Sequence, residues 1–282
     1  MNRELVAELG RRLWQAGYGA AAVGYAAADS AAVDPAAVDS AAVDSPAVDS
    51  AVADQLDGLE MAYAVQRATH DLAIAAGERA IGYKVGLTAQ PARETFGADE
   101  PAAGYLLASR LLEDGEPLAT AGLFAPLAEV EVAFTLGEAL PGPRVTARDV
   151  RDATAAVAPA FEIVDSRWRG GARTLPMLVA DNTNAARAMV GSSVAPASVE
   201  LSKIAATLTI GSRTVPGSAA AVMGDPAEAV AWLARHLLRG GRRLEAGDIV
   251  LSGTLCAPTA ISAGDHLVAD LGELGRIALD VN

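Results

Sequence analysis

The chain has 282 residues, of which 51% are apolar and 4% aromatic, and a formal net charge of −13. That length and apolar content allow an ordinary globular interior and exclude disorder throughout, and the acidic balance excludes a nucleic-acid partner, whose phosphates need clustered Lys and Arg. A single cysteine, Cys256, excludes an internal disulfide or a cysteine-rich zinc site, and no apolar run reaches the ~18–20 residues of a membrane span.

The N-terminal stretch MNRELVAELGRRLW scatters its charges and has no uninterrupted apolar run, so it is not read as a secretory leader, and the cytoplasm is the expected compartment. Val6, Leu9 and Leu13 mark a short amphipathic helix that is expected to stop near Gly17. Residues 26–54 repeat the pattern Ala-Ala-Val-Asp-Ser/Pro, with Asp29, Asp34, Asp39, Asp44, Asp49 and Asp54 in register. A period of five matches neither helix nor strand and buries no constant face, so a mobile insert or loosely helical linker without chemistry is expected there. An acidic docking tether is the alternative. Met61, Ala64, Val65, Ala68 and Leu72 return at helical spacing, and Gly77 ends the run. Residues 1–78 thus read as a helical N-terminal region and 79–282 as a β-rich catalytic domain.

Short strands are expected at 81–87, 128–136, 160–164, 205–210, 248–251, 266–269 and 277–281. Two helices interrupt them. Thr146 with Asp149 three residues on forms a capping box for one, which ends before Pro159; Asp225, Pro226 and Glu228 open the other, with Val230, Leu233, Leu237 and Leu238 as its buried stripe and Gly240-Gly241 as its stop. Helices that do not alternate regularly with strands indicate an α+β fold with a mixed or antiparallel sheet. No glycine-rich nucleotide signature occurs.

Leu127-Ala-Glu-Val-Glu-Val-Ala-Phe-Thr-Leu136 carries the candidate chemistry. In a strand Glu129 and Glu131 share one face about 7 Å apart, with Val130, Val132 and Phe134 on the other. On its own this is also the pattern of a strand with two solvated glutamates. Glu162 interrupts an apolar strand in Pro159-Ala-Phe-Glu-Ile-Val-Asp-Ser-Arg167, which calls for a partner: Arg167, Arg169 or a cation. Three carboxylates on two strands make an all-oxygen site that suits Mg²⁺ or Mn²⁺.

These segments resemble the 2-keto-4-pentenoate hydratase / 4-oxalocrotonate decarboxylase branch of the fumarylacetoacetate hydrolase superfamily. The matching stretches run in the family's order: 62–66, Ile81-Gly-Tyr-Lys-Val-Gly-Leu-Thr88, Glu129-Val-Glu-Val-Ala-Phe134, 161–167, Asp181-Asn182, 224–233, Gly247-Asp-Ile-Val-Leu-Ser-Gly-Thr254 and Ala263-Gly-Asp265. The resemblance implies a mixed β-sheet roll of that superfamily's C-terminal type, with a helical N-terminal region, assembled as a homo-oligomer, alone or with a related family subunit. It implies Glu129, Glu131 and Glu162 as ligands of Mg²⁺ or Mn²⁺, Lys84 beside a small 2-oxo acid, and Leu87, Gly253 and Thr254 facing that substrate. The implied reaction is a lyase step through a metal-stabilised enolate, either hydration of a 2-hydroxypenta-2,4-dienoate type or decarboxylation of a 4-oxalocrotonate type. Lys84 would hold the enolate or shuttle its proton; apart from the resemblance it reads as a surface lysine at a strand end.

One departure bears on the reaction. Ala102, in Asp99-Glu-Pro-Ala-Ala-Gly104, stands where the hydratases carry a second acid, so Asp99 or Glu100 is the substitute base, and decarboxylation gains ground. It also leaves open a non-catalytic family scaffold, or a biosynthetic relative acting on another 2-oxo acid. His70, His236 and His266 have no acidic neighbour in a catalytic pattern, and nothing activates Cys256.

Overall fold

The computed structural model describes residues 2–28, 47–140 and 142–282, the side chains of 18–28 excepted. In chain order the elements are α1 (Arg3–Ala28), α2 (Gly58–Ala75), β1 (Ala80–Gly86), α3 (Gln90–Phe96), β2 (Ala102–Leu107), β3 (Leu111–Leu112), β4 (Leu127–Leu136), α4 (Ala147–Ala153), β5 (Thr154–Val164), α5 (Leu175–Ala180), β6 (Ala185–Val190), β7 (Ala205–Ile210), β8 (Arg213–Ser218), α6 (Pro226–Arg239), β9 (Ile249–Leu251), β10 (Thr259–Ala260), β11 (His266–Asp270) and β12 (Arg276–Asp280). No helix among the described residues is long and apolar enough to cross a membrane.

The larger sheet runs β2-β1-β9-β4-β5-β6-β3, with β10 also paired to β4, and the smaller runs β12-β11-β7-β8. β1/β9 and β3/β6 pair parallel and the other pairs are antiparallel, which gives the expected mixed sheet. One face of the larger sheet carries Val130, Val132, Phe134, Phe161 and Val250, all fully buried with Val230 and Leu233 of α6 and with Leu208 and Leu267 of the smaller sheet. The opposite face is built from small residues (Ala133, Ala158, Ala160 and Ala188), which leaves room for the polar side chains of the site.

The N-terminal helices form a second core. Leu9 and Leu13 of α1 meet Met61 and Val65 of α2, together with Trp168, Met177 and Val179. A Cβ on Gly10 would stand 2.8 Å from the Ala68 Cβ, so the glycine permits the close helix contact. α1 runs past the expected stop at Gly17: a glycine inside a helix weakens it by about 1 kcal/mol but does not end it, and the Gly17 carbonyl accepts a bond from Arg110 Nη2.

Two other expectations need correction. The insert expected over 26–54 lies partly outside the described residues, but its end is packed. Val48 bridges to the strand-like segment at Trp168, its N–H donating to the Arg167 carbonyl at 2.7 Å, and Ser50–Gln55 form a 3-10 helix capped by Asp49. Val48 and Ala53 are buried, so the five-residue period does not prevent single residues from docking. Likewise β5 starts at Thr154 and passes through Pro159. Gly191 N–H donates to the Pro159 carbonyl at 2.8 Å just past the end of β6, so the proline costs that pair only its return bond, at the end of the ladder. The capping box of α4 forms as expected.

Candidate metal centre

The antiparallel register of β4 and β5 sets Glu129 directly opposite Glu162, with Glu131 one diagonal away. One carboxylate oxygen from each lies within 4.8 Å of the other two. Glu131 and Glu162 are fully buried, while Glu129 is half-buried at a cavity wall. Gly253 N–H donates to Glu131 Oε2 at 2.7 Å, yet Glu131 Oε1 and Glu162 Oε1 are buried with no hydrogen-bond partner. Burial raises Glu129 to about 7, and burial with the charges of Glu162 and Glu129 raises Glu131 well above the ordinary carboxylate range. Two orphaned oxygens among three mutually repelling carboxylates are the donor set of a hard cation.

Lys84 projects from β1 onto the same face and is not the surface residue that an isolated strand end would suggest. It is 2% exposed, and its Nζ lies 3.1 Å from Glu162 Oε2 and 3.2 Å from the Thr183 carbonyl. Burial pulls its pKa down, but the charges of Glu162, Glu129 and Glu131 outweigh it and keep the ammonium above the ordinary lysine range. Its path is cut by two glycines: a Cβ on Gly86 would lie 3.3 Å from Nζ, and one on Gly104 would lie 3.1 Å from Cγ and Cδ. The partner expected for Glu162 among Arg167 and Arg169 is therefore Lys84 instead, since Arg167 turns to Asp181 at 2.5 Å.

A cavity of about 490 Å³ opens beside this cluster. Lys84, Glu129, Thr88, Thr183, Asn184 and Thr254 supply its polar lining, and Leu87, Pro91, Phe96, Leu178, Leu255 and Cys256 part of its apolar wall. Of the expected substrate contacts, Leu87 and Thr254 reach the wall, whereas Gly253 turns its N–H to Glu131. Gly253 has φ +109 and a Cβ there would meet Thr88 Oγ1 at 2.3 Å, so only glycine brings that N–H to the carboxylate.

Asp99 is exposed in the turn before β2 and does not line the cavity; the expectation that it replaces a base at position 102 fails because the turn points to solvent. Glu100 is tied at 3.0 Å to both Trp232 Nε1 and Arg239 Nη2. Ala102 is 1% exposed in the N-terminal core. None of the histidines lines the cavity: His70 stacks on Tyr105, His236 sits between Tyr63 and Trp232, and His266 pairs with Asp280. Burial raises the Cys256 thiol to about 11, so it stays neutral. Asn184 was not singled out from the sequence, because an Asn in a turn carries no spacing signal.

Residues 58–282 match the family described as fumarylacetoacetate (FAA) hydrolase C-terminal. The chain is 37% identical over 219 residues to a 2-keto-4-pentenoate hydratase of Burkholderia vietnamiensis (77% of this chain, 84% of that one). It is 41% identical over 225 residues to a 2-hydroxyhexa-2,4-dienoate hydratase of Comamonas testosteroni (78% and 85%). In fold it superposes on 4-oxalocrotonate decarboxylase from Pseudomonas putida G7, complexed with magnesium and adipate, with a TM-score of 0.86 at 24% identity over 100% of this chain and 99% of that one. Coverage of four-fifths of the chain by one family, with the carboxylates and Lys84 inside the matched span, places it: the chain belongs to the fumarylacetoacetate hydrolase C-terminal family.

Proposed function

We propose that the chain is a divalent-metal-dependent lyase acting on a small 2-oxo acid through its enolate. The carrying observation is the set of three convergent carboxylates, with oxygens that no protein donor satisfies, at the wall of a cavity of small-molecule size. Oxygen-only ligands favour Mg²⁺ or Mn²⁺. A cation held by Glu129, Glu131 and Glu162 would supply Lewis acidity to the oxo-acid end of the substrate. Lys84, fixed by Glu162 and Thr183, presents a permanent positive charge where negative charge develops as the enolate forms.

Among the described residues, Lys84 is the one cationic residue in the cavity lining, and it stands at the carboxylate end. A second substrate carboxylate would meet Leu87, Phe96, Leu178 and Leu255 without a counter-charge. This favours a substrate with one carboxylate and a hydrocarbon tail, a 2-hydroxy-2,4-dienoate that is hydrated to a 4-hydroxy-2-oxo acid, in line with what the hydratase relatives are named for.

Decarboxylation of a 2-oxo-3-enedioate is the second reading, and one observation favours it: among the described residues, no Asp, Glu or His apart from Glu129 lines the cavity to activate water. The test supplies Mg²⁺ or Mn²⁺ with each substrate and follows ultraviolet absorbance and carbon dioxide release. Faster hydration supports the first reading and faster decarboxylation the second. Binding without turnover of either would reject the lyase and leave a scaffold. Light scattering of the same sample reads the homo-oligomer that we also expect.

A further inference from the structure

We infer that the cavity takes a 2-hydroxy-2,4-dienoate with a long hydrocarbon tail, an assignment that rests on the 2-oxo-acid reading above. A five-carbon dienoate with its three oxygens fills about 240 Å³, even at the ~30 Å³ that liquid water takes per non-hydrogen atom. The cavity holds about 490 Å³, so half of it lies beyond the reach of so short a substrate. At the same packing, the remainder matches a chain of roughly seven carbons attached at C5.

The sheet sets the direction of this space. On the shared face of β4 and β5 the pair Glu129 and Glu162 is followed, about 7 Å along, by the pair Leu127 and Val164. Leu127 and Val164 both line the cavity, so its floor turns from anionic to apolar within one step along the strands. The chain leading into β10 borders the same end, because Ala260 pairs with Leu127, and it contributes Leu255, Ala257 and Pro258 to the lining. α3 contributes Pro91, Ala92 and Phe96. Ala221, Ala257 and Pro258 are exposed and give the cavity an apolar rim. Among the described residues, Lys84 and Glu129 are the only charged side chains of the lining, and both belong to the carboxylate cluster. A tail whose oxo-acid head sits at that cluster runs over Leu127 and Val164 toward the rim.

The walls of this end are tied in place. Arg93 Nη1 donates to the Leu87 carbonyl at 2.9 Å and to the Thr88 carbonyl at 2.7 Å, which fastens α3 to the chain leaving β1. Gly97 closes that helix in the left-handed region, at φ 61. On the Leu255 side, Leu255 N–H donates to the Val130 carbonyl at 2.7 Å and Ser218 N–H donates to the Leu255 carbonyl at 3.0 Å. Thr254 Oγ1 donates to the Cys256 carbonyl at 2.7 Å. Apolar space held open between fixed walls rewards each methylene that enters it from water.

Calorimetry on the Mg²⁺-loaded protein compares 2-oxododecanoate with 2-oxopentanoate, which share a head and differ in the tail. The longer acid should bind roughly tenfold tighter or more, and 2-hydroxydodeca-2,4-dienoate should exceed 2-hydroxypenta-2,4-dienoate in kcat/KM for hydration by a similar factor. Ala92→Phe on α3 and Ala257→Phe on the exposed rim each place an aromatic ring in the tail end. Each should bring both ratios down to about one or below, whereas a general defect weakens long and short alike and keeps the ratios. Equal affinity of the two acids for the wild type, or ratios unmoved in both variants, would overturn the assignment. Tighter binding of the longer acid with neither dienoate hydrated would leave the tail assignment standing and sink the hydration reading instead.

Discussion

Asp181 and Glu131 are each at most 1% exposed, yet their surroundings differ in kind. Around Asp181 every oxygen is answered: Oδ1 accepts from Arg167 Nε, Oδ2 from the Arg167 N–H and Ser166 Oγ, and the guanidinium goes on to the carbonyls of Ala185 and Asp181. One cation faces one anion there, and burial raises Asp181 only to about 6 against the pull of Arg167. At the glutamates one ammonium faces three carboxylates, and oxygens are left over. A closed set of bonds fixes local structure; an open set of the same chemistry has capacity for a ligand.

The comparison breaks first at Glu131. If the cluster holds a cation, Glu131→Gln should lower turnover by about 10³-fold or more and abolish the rise in melting temperature on adding Mg²⁺ or Mn²⁺. Metal affinity equal to wild type by titration calorimetry would show that the carboxylates are merely repelled neighbours. Arg167→Ala should act in the opposite register, costing about 3–5 kcal/mol of stability because it strands a buried Asp181, with metal affinity retained in whatever fraction stays folded. Chemical denaturation measures the cost, and a loss below ~1 kcal/mol would mean that the pair is not a structural clamp.

Lys84→Ala should reduce turnover by roughly 10²-fold while calorimetry finds metal still bound, because its charge serves the substrate side of the cluster. An unchanged rate would reduce it to a packing residue. The pH response sharpens the contrast. Glu129 is held near 7 against an ordinary value of 4.5, so the metal-free native state keeps protons that the unfolded chain has released. The cluster's contribution to stability is therefore present below 4.5 and is lost as pH rises toward 7. Metal displaces those protons, so its affinity should climb through the same window, by up to about tenfold per pH unit for each proton displaced. Calorimetry between pH 5 and 8 reads this directly, and a flat profile would mean that the glutamates are already ionised. The smallest effect concerns Val48. Val48→Ala should cost about 1–2 kcal/mol, visible as a lower denaturation midpoint, because this end of the repeat is packed on Trp168. No change would return it to the class of freely tolerated linker.

Where a segment has one wet and one dry face, its sequence reads clearly. Glu129 and Glu131 alternate with Val130, Val132 and Phe134, so the strand and its acidic face were legible, and Glu162 stood out in an apolar run. β2 was missed because all six of its residues are buried and small or apolar on both faces, which removes the alternation. β6 was missed for a similar reason, and β5 was shortened because a proline inside a strand ordinarily marks its edge. In the site, neither the depth of Lys84 nor the Arg167–Asp181 pair is encoded locally. Both depend on which strands become neighbours, and the left-handed turn at 182–184 has no glycine to announce it.

The slot between Gly86 and Gly104 has a practical use outside catalysis. Lys84 and Lys203 are the chain's two lysines, and the side chain of Lys203 is 74% exposed whereas that of Lys84 is 2% exposed. An amine-reactive reagent should therefore modify Lys203 at once and reach Lys84 only when the roll opens. Labelling at Lys84, read by peptide mass, becomes a clock for that opening, and cation binding at the adjoining glutamates should slow it.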